Sequence, residues 1–267
     1  MDTDAITTVL QEVAAAVITP RFRSLSDSEV LEKNPGDLVT VADHEAEVLV
    51  TAALQAAYPD ALVLGEEATA ADPSLLARFA TAEHAFTVDP VDGTKNFVNG
   101  SPDHAVMVAE LRDGVVVRSW IWQPQHERAY VAELGAGAYC NGVRLHLDAA
   151  AGPPSGRTSR RSWVGAVLPG ASTLAPQPPL QLTWASCGID FPHLVEGDVH
   201  YLLYAATKPW DHAPGALLVT EAGGSIGTLP GGSYDPRYES RDGLVAAGDH
   251  TTYDLARSGW ATSLAPH

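Results

Sequence analysis

Asp89-Pro90-Val91-Asp92-Gly93-Thr94 sets two carboxylates three residues apart, places a proline directly after the first, and ends on Gly-Thr. Pro90 has no N–H and holds the residue before it, Asp89, in extended backbone. That geometry can aim both carboxylates and the Val91 carbonyl at one point. Magnesium takes hard oxygen ligands and keeps some waters, which suits such a set. Gly93-Thr94 can open a helix whose free N–H groups face a phosphate. An isolated Asp-x-x-Asp is more often a turn with capping aspartates, so the flanking sequence decides.

Upstream, the apolar run 86–88 leads into Asp89, and the run 61–64 leads into Gly65-Glu66-Glu67. Both read as strands that deliver acids at their ends. Downstream, runs 105–111 and 115–121 flank Asp113-Gly114, a two-residue hairpin signal, and 128–133 reads as a third strand. Apolar residues at helical spacing predict helices over 4–19, stopping at Pro20, and over 43–58. The polar stretch 24–37, with Asn34-Pro35-Gly36, reads as an exposed loop. The first half is thus two helices on a mainly antiparallel sheet.

Residues 149–161 are rich in Gly, Pro, Ser and Arg and predict a boundary between an N-terminal α+β lobe, 1–148, and a smaller C-terminal α/β lobe, 149–267. Residues 169–179 read as a further loop. A helix over 211–222 should end at Gly223-Gly224, followed by strands at 225–227 and 244–247 and a helix over 251–264.

Four segments occur in order: Asp37-Leu38-Val39-Thr40-Val41-Ala42-Asp43, Gly65-Glu66-Glu67, the Asp89–Thr94 stretch, and Trp210-Asp211-His212-Ala213-Pro214-Gly215 with Glu221-Ala222-Gly223-Gly224. Together they resemble the inositol monophosphatase family over nearly the whole chain. The resemblance implies a layered α/β/α/β/α sugar-phosphatase fold, usually homodimeric, that hydrolyses a small phosphorylated metabolite with two or three Mg2+ ions. It implies that Glu66, Asp89 and the Val91 carbonyl hold the first ion, and Asp89, Asp92 and Asp211 the second. A third, weaker ion would touch Glu66. Asp43 and Thr94 would orient the attacking water, and the N–H groups of Gly93 and Thr94 would hold the phosphate. Asp92, Gly188, Asp190, Tyr204 and Asp211 would line the substrate site.

The chain departs from that family at three places. Seven residues before Asp211, where inositol-cleaving members carry a glutamate for substrate hydroxyls, stands Tyr204. The segment Cys187-Gly188-Ile189-Asp190-Phe191-Pro192 replaces a helix start, and Pro192 is expected to disturb its first turn. In the loop before Asp37 the family's lysine aligns with Glu32, one residue before Lys33. Inositol 1-phosphate is therefore expected to be a poor substrate. Histidinol phosphate, a sugar phosphate and a nucleotide 3'-phosphate are the alternatives, and a non-catalytic binding homologue is disfavoured by the complete ligand set.

Bulk composition is consistent with this. The 267 residues carry a net charge of −17, from 33 acidic and 16 basic residues, which argues against nucleic acid and anionic membrane as partners. A phosphate substrate then needs a local source of positive charge, and divalent cations supply it. The N-terminus shows no basic region before an apolar run, so a cytoplasmic protein is expected. The two cysteines, Cys140 and Cys187, have no metal-ligand spacing, and no histidine pairs at one either.

Overall fold

The computed structural model describes residues 1–34, 37–150, 152–159 and 180–260. The expected loop at 169–179 lies outside them. A seven-stranded sheet runs in the order β3 (Leu62–Gly65), β4 (His84–Asp92), β5 (Ala105–Arg112), β6 (Val115–Gln123), β7 (Arg128–Glu133), β8 (Gly137–Cys140) and β9 (Val143–Leu145). Only the β3–β4 pair is parallel. Asp113 and Gly114 have φ of 49° and 78° and close the β5–β6 hairpin as a primed turn.

Side chains alternate across a strand, and β5 is buried on both faces. Val106 and Val108 face α1 (Thr3–Val13) and α2 (Val41–Ala57), packing with Ile6, Leu10, Ala46, Val50 and Leu54. Ala105, Met107 and Ala109 face the other way, onto α6 (Cys187–Val195) and α7 (Pro209–Glu221), with Phe191, Trp210 and Leu217. The far side of those two helices meets a second sheet, ordered β11 (Leu180–Leu182), β10 (Gly156–Thr158), β12 (Tyr201–Tyr204), β14 (Leu244–Ala247), β13 (Ser225–Thr228). Its outer face packs Tyr201, Leu203 and Val245 on Tyr253 and Ala256 of α8 (His250–Trp260). The layers are α/β/α/β/α, as expected. The middle helical layer shares one apolar cluster with both sheets, so this cluster draws residues from both sides of position 148.

Three local expectations change. The stretch read as a loop pairs as a hairpin, β1 (Val30–Asn34) against β2 (Asp37–Thr40), with Pro35 and Gly36 outside the described residues. The first helix does not stop at Pro20. It continues through a π-helical turn, Ala14–Ile18, and a 3-10 turn, Thr19–Arg21. Pro192 sits inside α6 without ending it. The Gly188 carbonyl, which a residue-192 N–H would have bonded, instead accepts the Gln123 side-chain amide at 2.8 Å. The expected helix end at Gly223-Gly224 holds: Gly223 has φ 100°, and Gly224 N–H reaches back to the Val219 carbonyl at 2.9 Å.

Candidate active site

In a regular strand, residues three apart point to opposite faces. Asp89 and Asp92 escape this because β4 carries a bulge. Asp89 lies opposite Met107 and Asp92 opposite Ala105, so three steps on β4 match two on β5. The extra residue re-aims the strand end and puts both carboxylates on the same side. Gly93 follows at φ 83°, and a Cβ there would lie 2.9 Å from Ser186 Cβ and 3.0 Å from the Asp103 carbonyl oxygen. Only glycine fits that turn into α5 (Thr94–Val98).

Glu66, Asp89 and Asp211 each bring a carboxylate oxygen to within 4.8 Å of the other two. Glu66 comes from the start of α3 (Glu66–Ala71), Asp89 from the bulge, and Asp211 from the first turn of α7, where Pro209 at the first helical position fixes the entry. Asp89 is buried, and its Oδ1 has no hydrogen-bond partner among the described residues. Burial, then the charges of Glu66 and Asp92, hold the Asp89 carboxyl well above the usual range. Burial and Glu66 do the same to Asp211. Three clustered acids with an orphaned buried oxygen are short of compensating charge, and the raised Asp89 and Asp211 carboxyls record it. An all-oxygen donor set fits a hard divalent cation. Cys187 Sγ and a His212 ring nitrogen also lie within 4.8 Å of the Asp211 carboxylate, and all three residues line one cavity.

Two lysines bring positive charge to the cluster: Lys208 acts on Asp211, and Lys33 on both Asp211 and Glu66. The Lys33 ammonium donates to Glu66 Oε1 at 2.9 Å and Glu67 Oε1 at 2.8 Å. Burial opposes the charge, yet the two glutamates win and raise the ammonium above its ordinary value. Lys33 sits where the β1–β2 register shifts between Glu32 and Asn34.

Thr94 Oγ1 lies 3.1 Å from Asp43 Oδ1 and 3.0 Å from the Val91 carbonyl oxygen, so its one proton has both acceptors in reach. Asp43 is the third residue of α2. Its Oδ2 accepts the Thr40 N–H at 2.8 Å and the Thr40 hydroxyl at 2.5 Å, a capping box. Burial pushes the Asp43 carboxyl up to about 7, against those hydrogen bonds.

Asp92 is placed differently from the other acids. Its Oδ2 accepts the Ser186 hydroxyl and the Gly188 N–H, the latter at 2.7 Å, and its Oδ1 accepts the Cys187 N–H at 3.2 Å. It thus satisfies the free N–H groups at the start of α6. Burial raises it to about 6 against those bonds. Gly188 is close-packed: a Cβ would meet Ala105 Cβ at 2.5 Å. Asp190 and Tyr204 face each other across the wall of a cavity of about 960 Å3, which also reaches Asp92 and Asp211.

Two participants carry no sequence signal. Glu47, midway along α2, accepts the Glu67 N–H at 2.7 Å and the Ala68 N–H at 2.8 Å, and so fixes the first turn that carries Glu66. Nothing in a helical periodicity singles it out. Ser186 binds Asp92 from a segment whose neighbours depart from the familiar pattern.

The inositol monophosphatase family model matches residues 2–261. The chain belongs to the inositol monophosphatase family. An inositol-1-monophosphatase of Mesorhizobium japonicum is 31% identical over 227 residues, covering 79% of each chain. A Pseudomonas aeruginosa protein named Nus factor SuhB is 29% identical over 231 residues, covering 79% of this chain and 80% of that one. The solved structure of a staphylococcal inositol monophosphatase-1 superposes with a TM-score of 0.81 at 19% identity, over 96% of this chain and 93% of that one. At that identity the match shows the shared fold alone. As a member of this family the chain is a phosphoric monoester hydrolase, and the family is metal-dependent.

Proposed function

We propose that this inositol monophosphatase-family chain hydrolyses a small phosphate monoester with Mg2+. The orphaned Asp89 oxygen inside the Glu66–Asp89–Asp211 cluster is the observation that carries this reading. Glu66, Asp89, the Val91 carbonyl and Asp211 would hold two ions, with Asp92 contributing through Oδ1, which accepts only one long bond and keeps a lone pair. Such ions neutralise the phosphate oxygens and acidify water. The chain's own groups do the positioning. Thr94 donates its hydroxyl proton toward Asp43, so its lone pairs are free to accept one from the attacking water and pass it to Asp43 Oδ1. The N–H groups of Gly93 and Thr94 would receive the phosphate, and Gly188, Asp190 and Tyr204 would shape the leaving-group side. Residues 1–148 would then carry most ligands, and 149–267 Asp211 and the pocket wall.

The name SuhB among the relatives raises a nucleic-acid or protein partner as a second role. The net charge of −17 argues against nucleic acid for this chain. Phosphate release from 4-nitrophenyl phosphate, then from a panel of natural monoesters, tests the main reading. Turnover should vanish on exhaustive chelation and return with Mg2+. Full activity in the chelated enzyme overturns it.

A further inference from the structure

We propose that Cys187, Asp211 and His212 form a separate metal site, one that takes Zn2+ and through it blocks turnover. The site itself stands on side-chain geometry, and its effect on turnover rests on the phosphatase reading above. Cys187 Sγ, an Asp211 carboxylate oxygen and a His212 ring nitrogen lie within 4.8 Å of one another. Zinc bonds to nitrogen, oxygen and sulfur at about 2.0–2.3 Å, so its tetrahedral ligands stand roughly 3.3–3.6 Å apart. The three donors need only a short approach to meet one ion. All three residues line the same cavity of about 960 Å3, which leaves a fourth position open toward it.

His212 supplies the observation that points to a ligand. It is 3% exposed, and its Nε2 has no partner among the described residues. Its Nδ1 lies 3.2 Å from both the backbone nitrogen and the carbonyl oxygen of Lys208. A proton on Nε2 would leave a buried donor unsatisfied. A proton on Nδ1 is accepted by the Lys208 carbonyl and leaves Nε2 a bare lone pair. Metal-bound imidazoles are held in this way, by an acceptor on the other ring nitrogen. The ring plane is also fixed. It stands edge-on to Tyr204, at 4.8 Å between centroids and 90°, and to Phe191, at 6.2 Å and 86°.

Cys187 is the first residue of α6, buried and in no disulfide. Its N–H donates to Asp92 Oδ1, which anchors the backbone that carries the thiol. His212 lies in the first turn of α7. The two come from different helices, so no local spacing in the sequence marks the site.

The donor set decides the ion. The Glu66–Asp89–Asp211 group is all oxygen and suits Mg2+, whereas thiolate and imidazole beside one carboxylate select zinc. Asp211 belongs to both groups. An ion held by Cys187 and His212 therefore draws on a carboxylate that the Mg2+ cluster needs. On binding, the Cys187 S–H proton leaves to solvent and the sulfur electron pair goes to the metal.

Co2+ is the probe for binding, because it occupies zinc-type sites and a thiolate ligand gives it an intense charge-transfer band. Added to the Mg2+-loaded chain it should produce that band, and stoichiometric Zn2+ should remove it. Cys140→Ser should keep the band and Cys187→Ser should lose it. His212→Phe retains a ring against Tyr204 and should weaken Co2+ and Zn2+ binding by about tenfold or more, since loss of an outer partner alone is worth that much. Zn2+ should inhibit turnover of 4-nitrophenyl phosphate by the Mg2+-loaded enzyme. The half-inhibiting concentration, taken against each variant's own zinc-free rate, should rise about tenfold or more in Cys187→Ser and in His212→Phe. No band in the folded unmodified protein overturns the site, and so does a band that survives Cys187→Ser. Unchanged Zn2+ affinity in a folded His212→Phe overturns the three-residue assignment. A band together with turnover that Zn2+ does not affect overturns the inhibitory role. Mg2+-dependent turnover without the band overturns the site and leaves the phosphatase reading standing. A band with no release from any ester overturns that reading and keeps the site.

Discussion

The phenol of Tyr204 donates a 2.9 Å hydrogen bond to Asp190 Oδ2, while Asp190 Oδ1 accepts the Trp184 N–H at 2.9 Å. Both side chains are buried, at 4% and 1% exposure. The tyrosine ends β12 and the aspartate lies in α6, so this bond ties the second sheet to the helix that forms the pocket wall. Tyr204 therefore does not leave the pocket without a carboxylate. It holds one that comes from another element, and burial pushes that carboxyl up to about 8.

Tyr204→Phe removes the donor and leaves a buried acceptor short of a partner. The expected cost is about 1–3 kcal/mol, read as a Tm lowered by about 2–4 °C per kcal/mol for a chain of this size. Turnover of 4-nitrophenyl phosphate should persist, because the metal cluster is untouched. An unchanged Tm would show that the bond contributes nothing. Inositol 1-phosphate should be a poor substrate of the unmodified enzyme, since its Asp190 is already committed to Trp184 and Tyr204.

How much of this was legible follows from what each residue answers to. The five layers could be read because β5 and its neighbours alternate and α2 repeats at helical spacing, and both patterns record burial. The acids at 66, 89, 92 and 211 could be read because each ends a strand or opens a helix. The bulge that puts Asp89 and Asp92 on one side could not, since it depends on pairing with Met107 and Ala105. The β1–β2 hairpin was hidden because its apolar residues come only in the short pairs Val30-Leu31 and Leu38-Val39, and its backbone pairing needs no longer run. Glu47 was hidden by its setting: an acid inside an amphipathic helix usually faces water, and only the approach of Gly65 and Glu67 gives this one a task.

Asp89→Asn should lose more activity than Asp43→Asn. Asp89 is assigned to both ions, so its charge serves the whole cluster. Asp43 acts through the hydroxyl of Thr94, and positioning of this kind is worth about 10²–10⁴ in rate. Metal affinity separates the two further. Calorimetric titration with Mg2+ should show weakened binding in Asp89→Asn and near-normal binding in Asp43→Asn. Equal, mild losses in two folded variants would contradict the assigned roles.

Gly65→Ala should damage the site from outside it. An added Cβ would lie 2.2 Å from Glu47 Cδ, and that carboxylate is buried and bonded to the Glu67 and Ala68 N–H groups. Displacing it uncaps α3 and shifts Glu66, at a cost of about 1–2 kcal/mol for the lost cap. Activity should fall while the far helix α8 keeps its hydrogen-exchange protection. A variant with unaltered Tm and unaltered Mg2+ affinity would show that Glu47 adapts freely.

His104 sets a pH dependence of stability that is separate from the metal site. Its ring is fully buried between Phe22 and Phe97, at centroid distances of 5.3 and 5.0 Å, and Nε2 finds no partner among the described residues. Burial lowers it from 6.5 to about 4. In that window the unfolded chain binds a proton that the folded one refuses, so the unfolded state gains as pH falls. The neutral ring's contribution is complete above pH 6.5 and is lost as pH drops toward 4, with a slope approaching about 1.4 kcal/mol per pH unit. His104→Phe keeps the aromatic packing and removes the proton site. Urea unfolding of both proteins at pH 7, 6, 5 and 4.5 should therefore give curves that diverge, the variant losing less stability on acidification. Parallel curves over that range would show that His104 does not titrate on unfolding.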